Sequence, residues 1–144
     1  MVDKAQLLAG NAANIEEFRA NSGRLAAFGD APVLLLTTKG AQSGEQRTSP
    51  LMYLGDDADA NCVYVFASYA GADVDPSWYR NLVAHPEDVR VEIGDESLTA
   101  SADVLAASRR AEKFAQQAAR YPQFAEYEKK TSRTIPVVAL HLQR

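Results

Sequence analysis

The chain has 144 residues, 47% of them hydrophobic and 24% charged, with a net charge of −4. That is one domain's worth of chain, able to bury roughly two-thirds of the surface it exposes when unfolded, and its charge content argues against disorder. Without an excess of cations, bulk electrostatics speak against a nucleic-acid partner, and the single cysteine, Cys62, excludes an internal disulfide and a cysteine-built metal centre.

Residues 2–21 read as a helix, because Leu8, Ala12, Ile15 and Phe18 recur near helical spacing with Glu16, Glu17 and Arg19 off the stripe. It either lies on the body of the domain or makes a peripheral membrane or partner contact. Asn21-Ser22-Gly23 ends it with a C-terminal glycine. Val33 to Thr38 is a continuous apolar strand, Gly40 to Glu45 a polar turn, and Arg47 to Leu54 a second strand. After Gly55-Asp56-Asp57 a third strand runs from Cys62 to Ser68. Tyr69 to Val74 is a loop, and a short helix follows with Asp75 as N-cap and Pro76 at its first position. Val89, Val91 and Ile93 alternate with Arg90 and Glu92, and Ser97 to Val104 alternates again after Gly94-Asp95. Ala111, Phe114, Ala115 and Ala118 mark a helix, and Tyr121 to about Lys130 a shorter aromatic one. Ile135 to Leu142 is the last strand, and its Pro136 suggests an edge or a bulge.

About six strands without regular βαβ alternation predict an α+β fold, a mainly antiparallel barrel with flanking helices. We expect one domain over 1–144, with the N-terminal helix in 1–24 and the barrel with its helices in 31–144. No stretch has the length to span a bilayer, and no basic region precedes an apolar run at the N-terminus. The expected location is therefore the cytoplasm, with membrane association only through the first helix.

Residues with intrinsic chemistry are scarce. His85 and His141 have no carboxylate cluster beside them, so no metal is expected. Cys62 stands in an apolar strand, the setting of an inert packing thiol. Ser43 and Ser49 lack the sharp strand-to-helix turn of an activated serine. Three features remain. Ser43, Gly44, Arg47, Ser49 and Pro50 combine close backbone approach, hydroxyls and a guanidinium, which suit an anion, although an arginine after a turn also suits plain surface. Trp78 and Tyr79 stand side by side in the short helix, as a core plug or a site wall. Tyr121, Phe124 and Tyr127 crowd one helix side, as core or as a wall for a planar ligand.

Taken in order, Ile15 to Gly23, Ala31 to Thr38, Gly40 to Gly44, Arg47 to Leu51, Pro76-Ser77-Trp78-Tyr79-Arg80-Asn81-Leu82-Val83-Ala84-His85-Pro86 and Arg133 to Val138 resemble the deazaflavin-dependent nitroreductase family. The resemblance implies a split β-barrel related to the FMN-binding split barrels, with coenzyme F420 as cofactor. By position it implies that Gln42, Ser43, Gly44, Arg47, Ser49 and Pro50 hold the coenzyme's phosphate and acidic tail. Phe66, Ala67, Ser68 and Tyr69 would lie along its ring, with Trp78 in support. Met52, Tyr121, Phe124 and Tyr127 would form the substrate pocket, with Tyr127 or Tyr121 as the catalytic hydrogen-bond donor. Ala41 and Gln42 are uncharged where members of that family often carry cations, Tyr69 stands where some carry a lysine, and Met52 and Phe124 stand where some have tyrosines.

The implied activity is hydride transfer from the reduced coenzyme to a small-molecule electron acceptor: quinones, activated enones or lactones, and nitroaromatics. The alternatives are an FMN-dependent reductase on the same barrel and a non-catalytic carrier of F420 or another planar ligand. A homodimer is expected by analogy with other split barrels.

Overall fold

The computed structural model describes residues 4–144, with side chains from Ala12 onward. The first residues of the predicted helix and the Leu8 side chain lie outside the described residues.

Helix α1 (Lys4–Ala20) leads into a short 3-10 turn, Ala26–Phe28, and a first hairpin of β1 (Val33–Lys39) and β2 (Gln46–Gly55). Then come β3 (Cys62–Phe66), a 3-10 turn at Tyr69–Gly71, and α2 (Ser77–Ala84). A second hairpin, β4 (Val89–Ile93) and β5 (Glu96–Val104), precedes α3 (Ala107–Arg120), α4 (Gln123–Lys130) and β6 (Val137–Gln143). The strands close in the order β1-β2-β3-β6-β5-β4, every pairing antiparallel. Closure leaves no unpaired sheet edge.

The two faces of the barrel wall explain why β1 and β3 read as unbroken apolar runs. Leu34, Leu36, Val63, Val65, Val91, Val138 and Leu140 point inward and fill the interior. Their neighbours point outward, yet are also covered. Val33 and Leu35 lie under Ile15 and Phe18 of α1. Tyr64, Phe66, Val137 and Ala139 lie with Phe114 of α3 and Phe124 of α4. A strand buried on both faces loses its period-two alternation. The first helix thus packs on the barrel, and Arg19 ties it to β4 through paired bonds of 2.9 and 3.0 Å to Glu92. Ala12, expected on the buried stripe, is exposed. The helix ends with Gly23 N–H donating to Phe18 O at 2.9 Å across a left-handed Ser22, the pattern of a Schellman stop.

Four expectations need correction. Strand β3 stops at Phe66, because Ser68 and Tyr69 turn into the 3-10 segment. Helix α2 begins at Ser77 with extended Pro76 before it, and Asp75 makes no cap bond; its carboxylate takes Arg133 instead, at 2.9 Å. Pro136 precedes β6 rather than marking an edge, and β6 is an inner strand between β3 and β5. In α3 the buried residues are Lys113, Phe114 and Gln117, while Ala111 and Ala115 are exposed. Alanine spacing misled there because a long stem such as that of Lys113 can bury against Tyr64, whose ring centre is 4.8 Å from its ammonium.

Candidate active site

Beside the barrel, between the β1–β2 turn, the start of α2 and α4, lies a cleft of about 910 Å³. Strand β2 forms its floor with Arg47, Thr48, Ser49, Pro50, Leu51 and Met52. The β1–β2 turn closes one end, the start of α2 one side, and Phe124 and Tyr127 of α4 the other end. A cleft of this size suits a ligand of several hundred Å³.

The polar end is built from the turn. Gly40 N–H donates to Glu45 O at 2.7 Å and Gly44 N–H to Gly40 O at 3.0 Å, closing the loop on itself. Asn81, buried in α2, fixes this loop to the barrel: its Oδ1 accepts from Ala41 N–H at 3.0 Å and its Nδ2 donates to Thr38 Oγ1 at 3.3 Å. The amides of Gln42 and Ser43 have no protein partner among the described residues. Arg47 of β2 and Arg80 of α2 both line the cleft. Arg47 also binds Glu45 at 2.7 Å. Arg80 donates to Asp75 O and Ser77 Oγ and has no carboxylate partner among the described residues. Two guanidiniums, two hydroxyls and free turn amides form a donor set suited to phosphate and carboxylate groups.

The apolar end is aromatic. Phe66 meets Phe124 edge-on with centroids 5.6 Å apart, and Phe124 meets Tyr127 at 5.3 Å. Trp78 reaches the barrel interior as well as the cleft, so it is at once plug and wall. Pro50, Met52, Phe66 and Trp78 offer the flat apolar contact that a fused ring needs. Nearby, burial pushes the Tyr79 phenol up, with the Asp75 charge adding to it, so that phenol stays neutral.

Between the two ends runs the segment after β3. Tyr69 and Ala70 are left-handed, with φ of 46° and 53°. Non-glycine residues pay for that conformation, and it concentrates at ligand sites.

The cleft therefore brings together Gln42, Ser43, Arg47, Ser49, Pro50, Met52, Phe66, Ser68, Tyr69, Trp78, Phe124 and Tyr127. Three candidates stand elsewhere. The Ala67 side chain faces the barrel interior. Gly44 lies in the turn behind the cleft wall, near Lys39. Tyr121 lines a smaller neighbouring pocket of about 340 Å³, which shares Phe28 and Met52 with the cleft. Sequence reasoning passed over Arg80, Asn81 and Phe28. Asn81 carried a signal, since an amide on the buried side of a short amphipathic helix demands partners. Among the described residues, no group of three or more His, Cys, Asp or Glu side chains is placed to hold a metal ion. No helix there is long and apolar enough to cross a membrane.

Comparison with known proteins identifies the family and the fold. The profile of the F420H(2)-dependent quinone reductase family matches residues 11–141. The F420H(2)-dependent quinone reductase Rv1261c of Mycobacterium tuberculosis is 32% identical over 134 residues, 85% of this chain and 83% of its own. The solved F420-H2 dependent reductase FDR-A is 37% identical, with a TM-score of 0.66 over 76% of this chain and 93% of its own. A structure described as a domain-swapped dimer is 32% identical, with a TM-score of 0.68 over 96% of this chain and 99% of its own. The barrel with its helices is the split barrel that the resemblance implied. The chain belongs to the F420H(2)-dependent quinone reductase family, and is an oxidoreductase whose cofactor is coenzyme F420.

Proposed function

We propose that the cleft holds the coenzyme with its acidic tail at Arg47, Arg80 and the turn, and its ring against Pro50, Phe66 and Trp78, and that the natural acceptor is a quinone. The observation that carries this is one continuous cleft whose lining combines Arg47, Arg80, hydroxyls and turn amides with the aromatic rings of Phe66, Trp78, Phe124 and Tyr127. When bound, the reduced coenzyme supplies the hydride, which explains why the chain carries so few catalytic side chains.

The protein's own part is placement and electrostatics. Arg47 and Arg80 neutralise the tail, and Ser43, Ser49 and the turn amides orient it. Phe66, Met52 and Phe124 exclude water from the space above the ring, where a planar acceptor lies. Tyr127 donates a hydrogen bond to the acceptor oxygen and stabilises the negative charge that develops there. Tyr121, in the adjoining pocket, contacts the acceptor's far end rather than its reacting oxygen. Activated enones, lactones and nitroaromatics meet the same electronic requirement and are secondary substrates. A homodimer is in keeping with the domain-swapped relative, and light scattering of the purified protein measures it.

The test is a fluorescence titration with oxidised F420, with FMN in parallel, followed by F420H2 oxidation with a soluble quinone and a nitroaromatic. Micromolar or tighter F420 binding, weaker FMN binding and turnover with the quinone are expected. Tight F420 binding with no turnover across acceptors would make the chain a carrier and overturn the acceptor assignment.

A further inference from the structure

Arg133 lies outside the cleft, in the link between α4 and β6, and does more bonding than any residue that lines it. Its Nε donates to Ala72 O at 2.8 Å, and its Nη2 to Ala67 O and Ser68 O, both at 3.0 Å. Its Nη1 donates to Asp75 Oδ1 at 2.9 Å. The side chain is 15% exposed, so these bonds are largely shielded from water. One planar fork thus gathers three carbonyls and a carboxylate from a nine-residue stretch, 67–75.

That stretch needs an external hold. The β3–β6 ladder pairs Phe66 with Val137, and Ala67 N–H to Pro136 O at 2.9 Å is the last backbone bond across it. The Arg133 guanidinium then takes over the carbonyls where the ladder stops. Beyond lie left-handed Tyr69 and Ala70, then Gly71 with φ of 83°. Gly71 sits directly on α4: a Cβ there would stand 2.9 Å from Tyr127 O and 2.9 Å from Lys130 Cβ. Ser68, Tyr69 and Ala70 line the cleft, as does Tyr127 on the opposite side of this contact.

We propose that Arg133 is the positioning residue of the site: it holds 67–72, with Tyr69, Ala70 and Gly71 left-handed, against α4, so that the coenzyme-ring wall and the acceptor wall form one fixed surface. The role in binding rests on the cofactor placement given above; the hold on the loop does not.

The experiment compares Arg133→Gln and Arg133→Lys with Arg110→Gln. Arg110 is a matched control, since its Nε bonds Ile135 O of the same link at 2.7 Å and its Nη2 bonds Glu128 of α4 at 3.1 Å, and it does not line the cleft. Amide hydrogen exchange of Gly71 and Ala72, which donate to Ser68 O and Tyr69 O, is read without coenzyme, and F420 affinity is read by fluorescence. Both Arg133 variants are expected to exchange these amides about tenfold faster and bind F420 about tenfold more weakly. Arg110→Gln is expected to lower Tm while leaving both readouts unchanged. Arg133→Lys keeps the charge but not the fork, and serves if the glutamine variant does not fold. Unchanged exchange in a folded Arg133 variant overturns the hold, and faster exchange with unchanged F420 affinity overturns its role in the site. Failure of the unaltered protein to bind F420 would instead sink the cofactor placement, and the exchange comparison would still decide the hold.

Discussion

The barrel interior and the cleft wall are made by the same strands, one residue apart. On β2, Leu51 and Tyr53 pack toward the interior cluster, while Met52 packs outward and lines the cleft. On β3, Val63 and Val65 point in and Phe66 points out to the cleft. Inside, the side chains are mostly aliphatic and closed off, with Trp78 among them, and the buried Thr38 hydroxyl at the end of β1 is satisfied by Asn81. The cleft wall holds arginines, hydroxyls and a strained loop, all of which need something else to satisfy or hold them. The interior is built for stability at no cost to access. The wall gives up stability to leave donors unspent.

The largest effect should come from the interior. Leu36 is fully buried, and Leu36→Ala should cost about 2–5 kcal/mol of stability in urea unfolding. F420 affinity of the folded protein should stay the same. A parallel loss of affinity would mean that the two sides of the strand are not separable.

Next come the two cleft arginines, where the sign of the effect reverses: affinity falls and Tm holds. Arg80→Ala should weaken F420 binding about tenfold, from loss of roughly 1–1.5 kcal/mol in a charge-assisted contact. Arg47→Ala should lose less, about threefold, because the Arg47 side chain is 43% exposed and already shared with Glu45. Both losses should shrink as salt rises. Equal losses, or none at Arg80, would show that Arg80 does not stand in for the cations absent at Ala41, Gln42 and Tyr69.

Smaller again is Tyr127→Phe, which removes one hydroxyl and no packing. Turnover with quinone should fall about fivefold, as expected for one hydrogen bond of roughly 1 kcal/mol, with F420 affinity unchanged. Unchanged turnover would remove Tyr127 from the reaction.

The same division marks what the sequence reveals. Strands β1, β2, β4 and β5 were legible because their apolar runs and glycine-bearing turns are local signals. The resemblance to known relatives names turn and β2 residues, and of these Gln42, Ser43, Arg47, Ser49 and Pro50 line the cleft while Gly44 does not. What stayed hidden depends on distant partners. Asp75 looks like a helix cap until Arg133, 58 residues away, takes its carboxylate. Pro136 looks like an edge because a local reading cannot see β3 and β5 on either side of the strand it precedes. Arg133 itself sits in an unremarkable polar link, and nothing nearby in sequence tells that its fork reaches Ala67. Ala70 offers no glycine to announce its left-handed backbone.

A third polar group, under α3, belongs to neither side of the comparison. Tyr64 donates to Asp56, Arg109 donates to Tyr64 at 3.2 Å, and Lys113 sits over the Tyr64 ring. The Tyr64 hydroxyl, then the Ala58 amide, hold the Asp56 carboxyl below its usual range. A carboxyl lowered in the folded state contributes stability above its unfolded pKa, about 4, and that contribution is lost as pH falls through the lower folded value. Asp56→Asn should therefore flatten the acid limb of a stability-against-pH curve below about pH 4, while the amide still accepts from Tyr64. The change is the smallest of the series because Asp56 stands at the surface, where solvent screens it. F420 affinity should not move at any pH where the variant is folded. If it did move, this cluster would be coupled to the cleft through Phe66 and Phe114, which meet at 6.0 Å in the aromatic layer between them, and the wall would extend one layer deeper than its lining residues.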